Sequence, residues 1–195
     1  MKRQLLLIGF TALLIFSAEA QKRIVRKKLS LTETTFYIKN VAAGKYLDLP
    51  GYAFDAQKGN GSRVQLWDMD DGIDRKFKLK DAGDGYYYIM PQHCNSRLDV
   101  HGCWPDKWFC NIYKNERGAP IQIWDFDTND VGKWRLEQVR PGQFILVNKY
   151  SNMALDADAN RIKENGCKVN QWDIHKRDNQ LWELISVDTG QRYEQ

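Results

Sequence analysis

An eight-residue pattern that occurs three times constrains the fold of this chain more than any other feature. It has the form Gly-x-x-Val/Ile-Gln/Asn-x-Trp-Asp, and its copies span residues 61–68, 118–125 and 166–173. A Leu-Asp pair precedes each copy, ending at Asp48, Asp99 and Asp156. A second aromatic residue follows each copy, at Phe77, Trp134 and Trp182. Three copies in the same order predict a repeated structural unit.

The spacing inside the repeat distinguishes strands from loops. The second aromatic residue lies ten residues after the motif tryptophan in all three repeats, whereas the gap from the aspartate to that tryptophan is 19, 25 and 16 residues. Constant gaps are expected of paired strands, and variable gaps are expected of loops. Short apolar segments with period-two alternation, separated by Gly, Asn and Asp clusters, predict about four strands in each repeat.

We therefore predict an all-β domain at residues 34–187. Its predicted repeats are residues 34–84, 85–140 and 141–187. A unit of roughly 50 residues cannot bury its apolar face alone, so the three repeats should share one core around a pseudo-threefold axis. Phe77, Trp134 and Trp182 are the candidates for the centre of that core. Residues 188–195 are expected to form a C-terminal tail.

The first residues have the pattern of a secretory leader. Lys2 and Arg3 precede an apolar run from Leu5 to Phe16, and a small-residue pattern ends at Ala20. About 12 apolar residues are too few to span a bilayer, and no later segment is apolar enough to do so. We expect residues 1–20 to be removed as a signal peptide and the protein to be secreted into the extracellular space.

Positive charge is concentrated just after the expected cleavage site. Five basic residues lie there, within the predicted tail at residues 21–33: Lys22, Arg23, Arg26, Lys27 and Lys28. Leader removal changes the formal charge from +4 to about +3, and leaving out these five residues gives about −2 for the folded body. A nucleic-acid-binding body is expected to be basic, so this class of partner is disfavoured. The tail could bind an acidic polysaccharide, be clipped, or stay solvated.

The order of these motifs, with a Gln-x-Trp at Gln180-Leu-Trp182, resembles the ricin B-type lectin domain, whose fold is the β-trefoil. The resemblance covers almost the whole chain after the leader. Two repeats depart from it, because Arg75-Lys-Phe77 and Gly132-Lys-Trp134 stand where Gln-x-Trp is expected. The cysteines also differ from the within-repeat positions common in plant members. These departures weaken the prediction of sugar binding more than they weaken the prediction of the fold.

The resemblance implies a site that holds sugar hydroxyls with a carboxylate and amides, and the apolar face of the ring with an aromatic side chain. The third repeat has the fullest set: Asp156, Asn170, Trp172, Asn179 and Gln180. Asp156 would bind hydroxyls and Trp172 would be the aromatic platform. The first repeat offers a second, shallower set: Asp48, Gln65 and Trp67. These recurring residues could instead stabilise turns and pack under loops.

The cysteines and one asparagine are candidates for modification. Cys94, Cys103, Cys110 and Cys167 permit two disulfides with three connectivities, and a local Cys103 to Cys110 bond is favoured. Asn60-Gly-Ser62 is a candidate N-glycosylation acceptor on a predicted turn. Acidic series beginning at Asp125 and Asp156 lack the glycine and closing glutamate of a calcium loop, which favours turn acids over a metal site.

No spacing points to a cofactor, a metal or a catalytic pair. We therefore predict a non-catalytic glycan-binding protein. The alternative is a matrix or interaction protein that keeps the scaffold, has lost sugar binding, and uses the tryptophan-rich loop at residues 101–110 or the basic tail.

Overall fold

A computed structural model describes residues 28–51, 59–102 and 114–195. The expected leader, most of the basic tail, Cys103, Cys110 and most of the tryptophan-rich loop lie outside these ranges. In the first repeat the strands are β1 (Thr35–Asn40), β2 (Tyr46–Asp48), β3 (Gln65–Trp67) and β4 (Phe77–Gly83). In the second they are β5 (Tyr86–Pro91), β6 (Ser96–Val100), β7 (Ile121–Asp125) and β8 (Lys133–Arg140). In the third they are β9 (Gln143–Asn148), β10 (Ala154–Ala157), β11 (Cys167–Trp172) and β12 (Trp182–Ser186).

The outer strands of the repeats close into a barrel. Antiparallel pairing runs from β1 to β4, β5, β8, β9 and β12, and β12 pairs back with β1, so six strands form a ring without an open edge. The inner strands pair as three hairpins, β2 with β3, β6 with β7 and β10 with β11. This is the predicted β-trefoil with four strands in each repeat. Closure removes the exposed edges that would otherwise pair with other chains.

The three hairpins and the barrel share one apolar core. Phe77, Trp134 and Trp182 are all fully buried in it, which confirms their predicted place. The indole nitrogen of Trp134 donates to the Leu98 carbonyl at 3.2 Å, and that of Trp182 donates to the Leu155 carbonyl at 3.1 Å. Because a buried indole N–H needs an acceptor, these bonds fix each barrel strand against the hairpin of its own repeat.

The hairpin register places the recurring polar residues together. Asp48 lies opposite Gln65, Asp99 opposite Gln122, and Asp156 opposite Asn170. Side chains alternate between the two faces of a strand, so the motif tryptophan, two residues further on, shares the face of that pair. Each repeat therefore carries an aspartate, an amide and a tryptophan on one hairpin face, away from the leucine and valine side chains that enter the core.

The aspartate that ends each motif joins neighbouring repeats. Its partner is the residue just before the motif glycine of another repeat, and the three pairs are Asn60 with Asp125, Arg117 with Asp173, and Asn165 with Asp68. The Asn60 Nδ2 to Asp125 distance is 2.8 Å, and the Asn165 Nδ2 to Asp68 distance is 2.9 Å. These contacts run around the pseudo-threefold axis, which explains why this aspartate recurs in every motif.

Asn60 is exposed on a turn, as a glycosylation acceptor requires. Its amide nitrogen, however, donates to Asp125, so an attached glycan would compete with a contact between repeats. Whether this asparagine is modified stays a prediction.

The chain ends also contact the barrel. Tyr193, in the expected C-terminal tail at residues 188–195, packs edge-to-face on the Phe36 ring. Its ring centroid lies 5.8 Å from that of Phe144. Leu29, in the expected N-terminal tail, packs against the same core. No helix in the described ranges is long and apolar enough to span a membrane.

The cysteine prediction needs one correction. Cys94 and Cys167 both carry free thiols, so no disulfide joins these two residues. Burial raises the pKa of the Cys167 thiol to about 11, which keeps it protonated and poorly reactive at neutral pH. Cys103 and Cys110 lie outside the described residues, and the bond between them stays a prediction.

Candidate functional site

The Asp156 carboxylate is the centre of the third-repeat site. Asn179 Nδ2 and Gln180 Nε2 donate to its Oδ2 at 3.0 and 2.9 Å, and His175 Nε2 lies 3.3 Å from the same oxygen. In the described part of the chain no donor contacts the other oxygen, Oδ1, which is not sealed from solvent. One oxygen therefore fixes the carboxylate, and the other is free to accept a hydrogen bond.

Gln180 positions the Asp156 carboxylate from the buried side of the site. It is fully buried, its Nε2 also donates to the Asp173 carbonyl at 2.8 Å, and its Oε1 accepts the backbone N–H groups of His175 and Lys176 at 2.9 and 3.2 Å. Every polar atom of the Gln180 side chain is thus satisfied by the protein. Gln180 was predicted to be a sugar contact, whereas in the structure it orients Asp156 and the turn at residues 175–176.

Asn179 adds a second acceptor beside Asp156. It is half-buried in the short 3-10 helix Asp178–Gln180 that precedes β12, and its Nδ2 also donates to the Ala157 carbonyl at 3.1 Å. No donor among the described residues reaches its amide oxygen, which leaves that oxygen available to a ligand hydroxyl.

The Trp172 indole forms the apolar part of the site. Trp172 is 43% exposed, which is unusual for a tryptophan and is shared by Trp67 at 37% and Trp124 at 40%. A Cβ at Gly118 would lie 3.5 Å from the Trp172 ring, so the turn of the neighbouring repeat supports the indole from one side. Asn170 is half-buried between this ring and Asp156 on the same hairpin face. A carboxylate and amides beside an exposed ring suit a ligand with hydroxyl groups and one apolar face.

Burial raises the pKa of the aspartate in all three repeats. The pKa of Asp48 rises to about 6, and those of Asp99 and Asp156 also rise. In each case loss of water is the larger cause, and nearby donors oppose it: Gln65 and Arg75 at Asp48, Arg97 at Asp99, and Gln180 and His175 at Asp156. Removing water penalises the charged form of a carboxyl group.

The first repeat covers its aspartate with an arginine. Gln65 Nε2 donates to Asp48 Oδ2 at 2.7 Å, and Arg75 Nη2 lies 3.3 Å from Oδ1, which is sealed from solvent. Arg75 occupies the position of Gln180 and also pairs with Asp70. The first repeat therefore presents the exposed indole of Trp67, but Asp48 has no free, accessible oxygen.

The second repeat pairs its aspartate with a different arginine. Arg97, on β6, is fully buried, and its Nη2 donates to Asp99 at 3.0 Å and to Asp127 at 2.5 Å. Gly132 stands where the third repeat has Gln180, and a Cβ there would lie 1.8 Å from Arg97 Nε. The glycine thus leaves the space that the guanidinium fills. Gln122 meanwhile contacts His101, with Oε1 2.5 Å from Nδ1.

His175 is a member of the site that is absent from the predicted set. Its position three residues after Trp172 is the sequence signal that could have identified it. Within the two acidic series, Asp127 and Asp158 stabilise turns: each accepts the backbone N–H two residues ahead, at 2.8 and 3.0 Å. Within the described ranges, no three metal-binding side chains lie together.

The chain is similar to known proteins along most of its length. The family model described as "Ricin-type beta-trefoil lectin domain-like" matches residues 23–107, 111–172 and 132–194. The designed threefold-symmetric protein ThreeFoil is 26% identical, with a TM-score of 0.67 over 78% of this chain and 99% of that chain. A ricin B-like lectin of Macrolepiota procera, solved with lactose, is 17% identical, with a TM-score of 0.61 over 81% and 98% of the two chains.

An enzyme is also among the similar structures. An exo-β-1,3-galactanase from Clostridium thermocellum is 21% identical, with a TM-score of 0.66, and the similarity covers 79% of this chain but 30% of the enzyme. Comparison with curated proteins finds no match.

Proposed function

Since the chain belongs to the ricin-type β-trefoil lectin domain-like family, we propose that it is a non-catalytic lectin that binds a glycan through its third repeat. The observation that carries this proposal is the free Oδ1 of Asp156, held beside the exposed Trp172 ring. A glycan offers adjacent hydroxyl groups on one side of a sugar ring and an apolar C–H face on the other. The third repeat presents a complementary acceptor and a complementary aromatic surface.

Each residue of the site has a distinct part in this proposal. Asp156 Oδ1 and the Asn179 amide oxygen accept hydrogen bonds from neighbouring hydroxyl groups, Trp172 stacks on the ring, and Asn170 lies between them. Gln180 acts through Asp156, since it is fully buried and its amide is already used by Asp156, Asp173 and the turn at residues 175–176. His175 acts beside Asp156, since its Nε2 faces the carboxylate and its Nδ1 accepts the Arg177 N–H.

The first repeat is not a second site in this proposal. Its aspartate faces Arg75 instead of solvent, and freeing Asp48 Oδ1 would separate a buried ion pair. Breaking such a pair by removing one partner typically costs 3–5 kcal/mol, which exceeds what a few hydroxyl contacts return. The exposed indole of Trp67 alone lacks the polar groups that orient a sugar.

We also propose that the protein acts outside the cell, on the strength of the leader-like pattern in residues 1–20. The similarity to a galactanase does not argue for hydrolysis, because it involves 30% of that enzyme. One scaffold serves many functions, and activity depends on the groups at a site.

A glycan array probed with the full chain and with two variants tests the proposed site. Asp156→Ala removes the carboxylate and Trp172→Ala removes the platform, so each is expected to lower retention at least tenfold on whichever glycans the wild type binds. The matched control is Trp124→Ala, which removes an equally exposed indole from the second repeat and should leave retention unchanged.

Circular dichroism and thermal unfolding of the same variants separate binding from folding. The fold should survive Trp172→Ala, since that ring is exposed. Full retention by both folded site variants, or an equal loss in Trp124→Ala, would rule out the third repeat as the site.

A further inference from the structure

Three equivalent turns of the molecule differ in the sign of their charge: two are acidic and one is basic. They comprise the third to fifth residues after each motif tryptophan: Asp70-Asp-Gly72, Asp127-Thr-Asn129 and His175-Lys-Arg177. The first turn has two acidic residues, the second has one, and the third has two basic residues and a histidine. The fold requires a turn at this place in every repeat. The need for a turn therefore does not explain why the side-chain charge is positive in the third repeat and negative in the other two.

The basic turn lies at the edge of the third-repeat site. The backbone N–H groups of His175 and Lys176 donate to Gln180 Oε1, and the Arg177 N–H donates to His175 Nδ1 at 3.2 Å. His175 Nε2 is 3.3 Å from Asp156. Because Gln180 holds both this turn and Asp156, the turn has a fixed position next to the free carboxylate oxygen.

The positive charge of this turn is not neutralised by its acidic neighbours. Asp173 pairs with Arg117, and Asp178 pairs with Arg140 at 2.9 Å. Within the described ranges, Lys176 and Arg177 form no ion pair, and both are exposed. In the first repeat, by contrast, the acidic residues Asp70 and Asp71 of the equivalent turn pair with Arg75 and Lys76, so that turn presents no unpaired positive charge.

We propose that the third-repeat site selects a saccharide that carries a negative charge, a carboxylate or a sulfate, next to the hydroxyl groups that Asp156 binds. This inference rests on the proposed function. The acidic group would contact Lys176 and Arg177 at the rim, away from Asp156, so the carboxylate of the protein and the charge of the ligand do not oppose each other. A partly exposed ion pair contributes modestly to affinity and more strongly to selection between charged and neutral ligands.

Matched glycans test this selection. The probes are pairs that differ in one acidic group: neutral lactose-type glycans, and the same glycans bearing either a sialic acid carboxylate or a sulfate. The full chain is expected to bind the charged member roughly three- to tenfold more tightly at low salt, since each exposed pair contributes little. Raising the salt concentration should reduce this preference. The two acidic probes distinguish carboxylate from sulfate.

The double variant Lys176→Asn/Arg177→Gln removes both charges and should equalise the two members of each pair while leaving affinity for the neutral member unchanged. Asn is chosen because Lys176 has a φ of 58°, a conformation that Asn tolerates. The single variant Arg177→Gln should at least halve the preference. The control is Lys78→Gln, which removes an exposed charge from β4 of the first repeat and should leave the preference unchanged.

The possible outcomes separate the two proposals. Equal binding of charged and neutral members by the wild type overturns the inference and leaves the lectin proposal intact. Retention of charged glycans that survives Asp156→Ala places anion binding elsewhere, in the basic tail for example, and also overturns the inference. Absence of binding to every glycan overturns both.

Discussion

Three equivalent aspartates show how one residue type acquires different roles. Asp48, Asp99 and Asp156 are all nearly buried, and burial raises the pKa of each. The first two are held by arginines, whereas the third is held by neutral amides and a histidine edge. An arginine beside a carboxylate neutralises its charge and competes with a ligand for its oxygens. Amides that converge on one oxygen leave the other available for a ligand.

The raised pKa of Asp48 predicts a pH-dependent stability. Its carboxyl has a pKa of about 6 in the folded chain against the ordinary aspartate value of 3.8, so the folded state binds the proton more tightly than the unfolded state. This contribution to stability is fully present below about pH 4 and is lost as the pH rises through about 6, by at most about 3 kcal/mol. Asp48→Asn lacks it. Urea unfolding at several pH values should therefore show that, between pH 4 and 7, the free energy of unfolding of the wild type falls relative to that of Asp48→Asn.

The control for this measurement is Asp84→Asn, at an exposed turn residue with a φ of 54° that Asn also adopts. Its stability difference from the wild type should change little over the same range. If the difference for Asp48→Asn is equally flat, pairing with Arg75 outweighs the loss of water at Asp48.

The sequence predicted the members of the third-repeat site better than their roles. Asp156, Asn179 and Trp172 follow from their fixed places in the repeat, and the structure brings them to one hairpin and its neighbouring turn. The roles of Gln180 and His175 depend on which atoms meet in three dimensions. A repeat pattern gives positions along a strand, but it does not give the hydrogen bonds that satisfy each buried atom.

At the scale of elements, the turn before the last strand of each repeat decides the state of the aspartate. In the third repeat this turn supplies Gln180, and in the first it supplies Arg75. In the second it supplies Gly132, and the missing side chain is replaced by Arg97 from β6. The departures from Gln-x-Trp are visible in the sequence. The sequence does not show which side chain then contacts the aspartate, because in the second repeat Arg97, from a different strand, fills the space beside Gly132.

Gly132→Ala is expected to destabilise the fold by about 2 to 4 kcal/mol. Its Cβ would lie 1.8 Å from Arg97 Nε, and since Arg97 is fully buried it cannot move aside without breaking its pair with Asp99. Disruption of a buried ion pair is among the more costly single changes. Chemical unfolding of the variant measures the loss.

A double-mutant cycle identifies the cause. Arg97→Met should itself be destabilising, because it leaves Asp99 without its charged partner. If the clash with the guanidinium is the reason for the loss in Gly132→Ala, the double variant will be less destabilised than the sum of the single variants. Strict additivity would mean that Gly132 is needed for its backbone alone.

For the whole molecule, the fold was the most predictable property. The closed barrel needs the same buried aromatic residue, hairpin register and contacts between repeats three times, so the sequence records them three times. A binding site needs to be kept only once, and the equivalent polar positions are free to diverge. This difference explains why the repeat pattern predicted the trefoil, whereas it did not distinguish the proposed third-repeat site from the equivalent positions of the other repeats.

The proposed single site predicts that each chain binds one glycan. Isothermal titration with a glycan identified on the array should give one equivalent for each chain, and Asp48→Asn should not change that number. Two copies joined by a flexible linker should bind a glycan-coated surface about 10² to 10⁴ times more tightly than one copy, because the second contact becomes intramolecular. A stoichiometry near two that falls to one in Trp67→Ala would show instead that the first repeat binds despite Arg75, and that the buried pair opens when a ligand arrives.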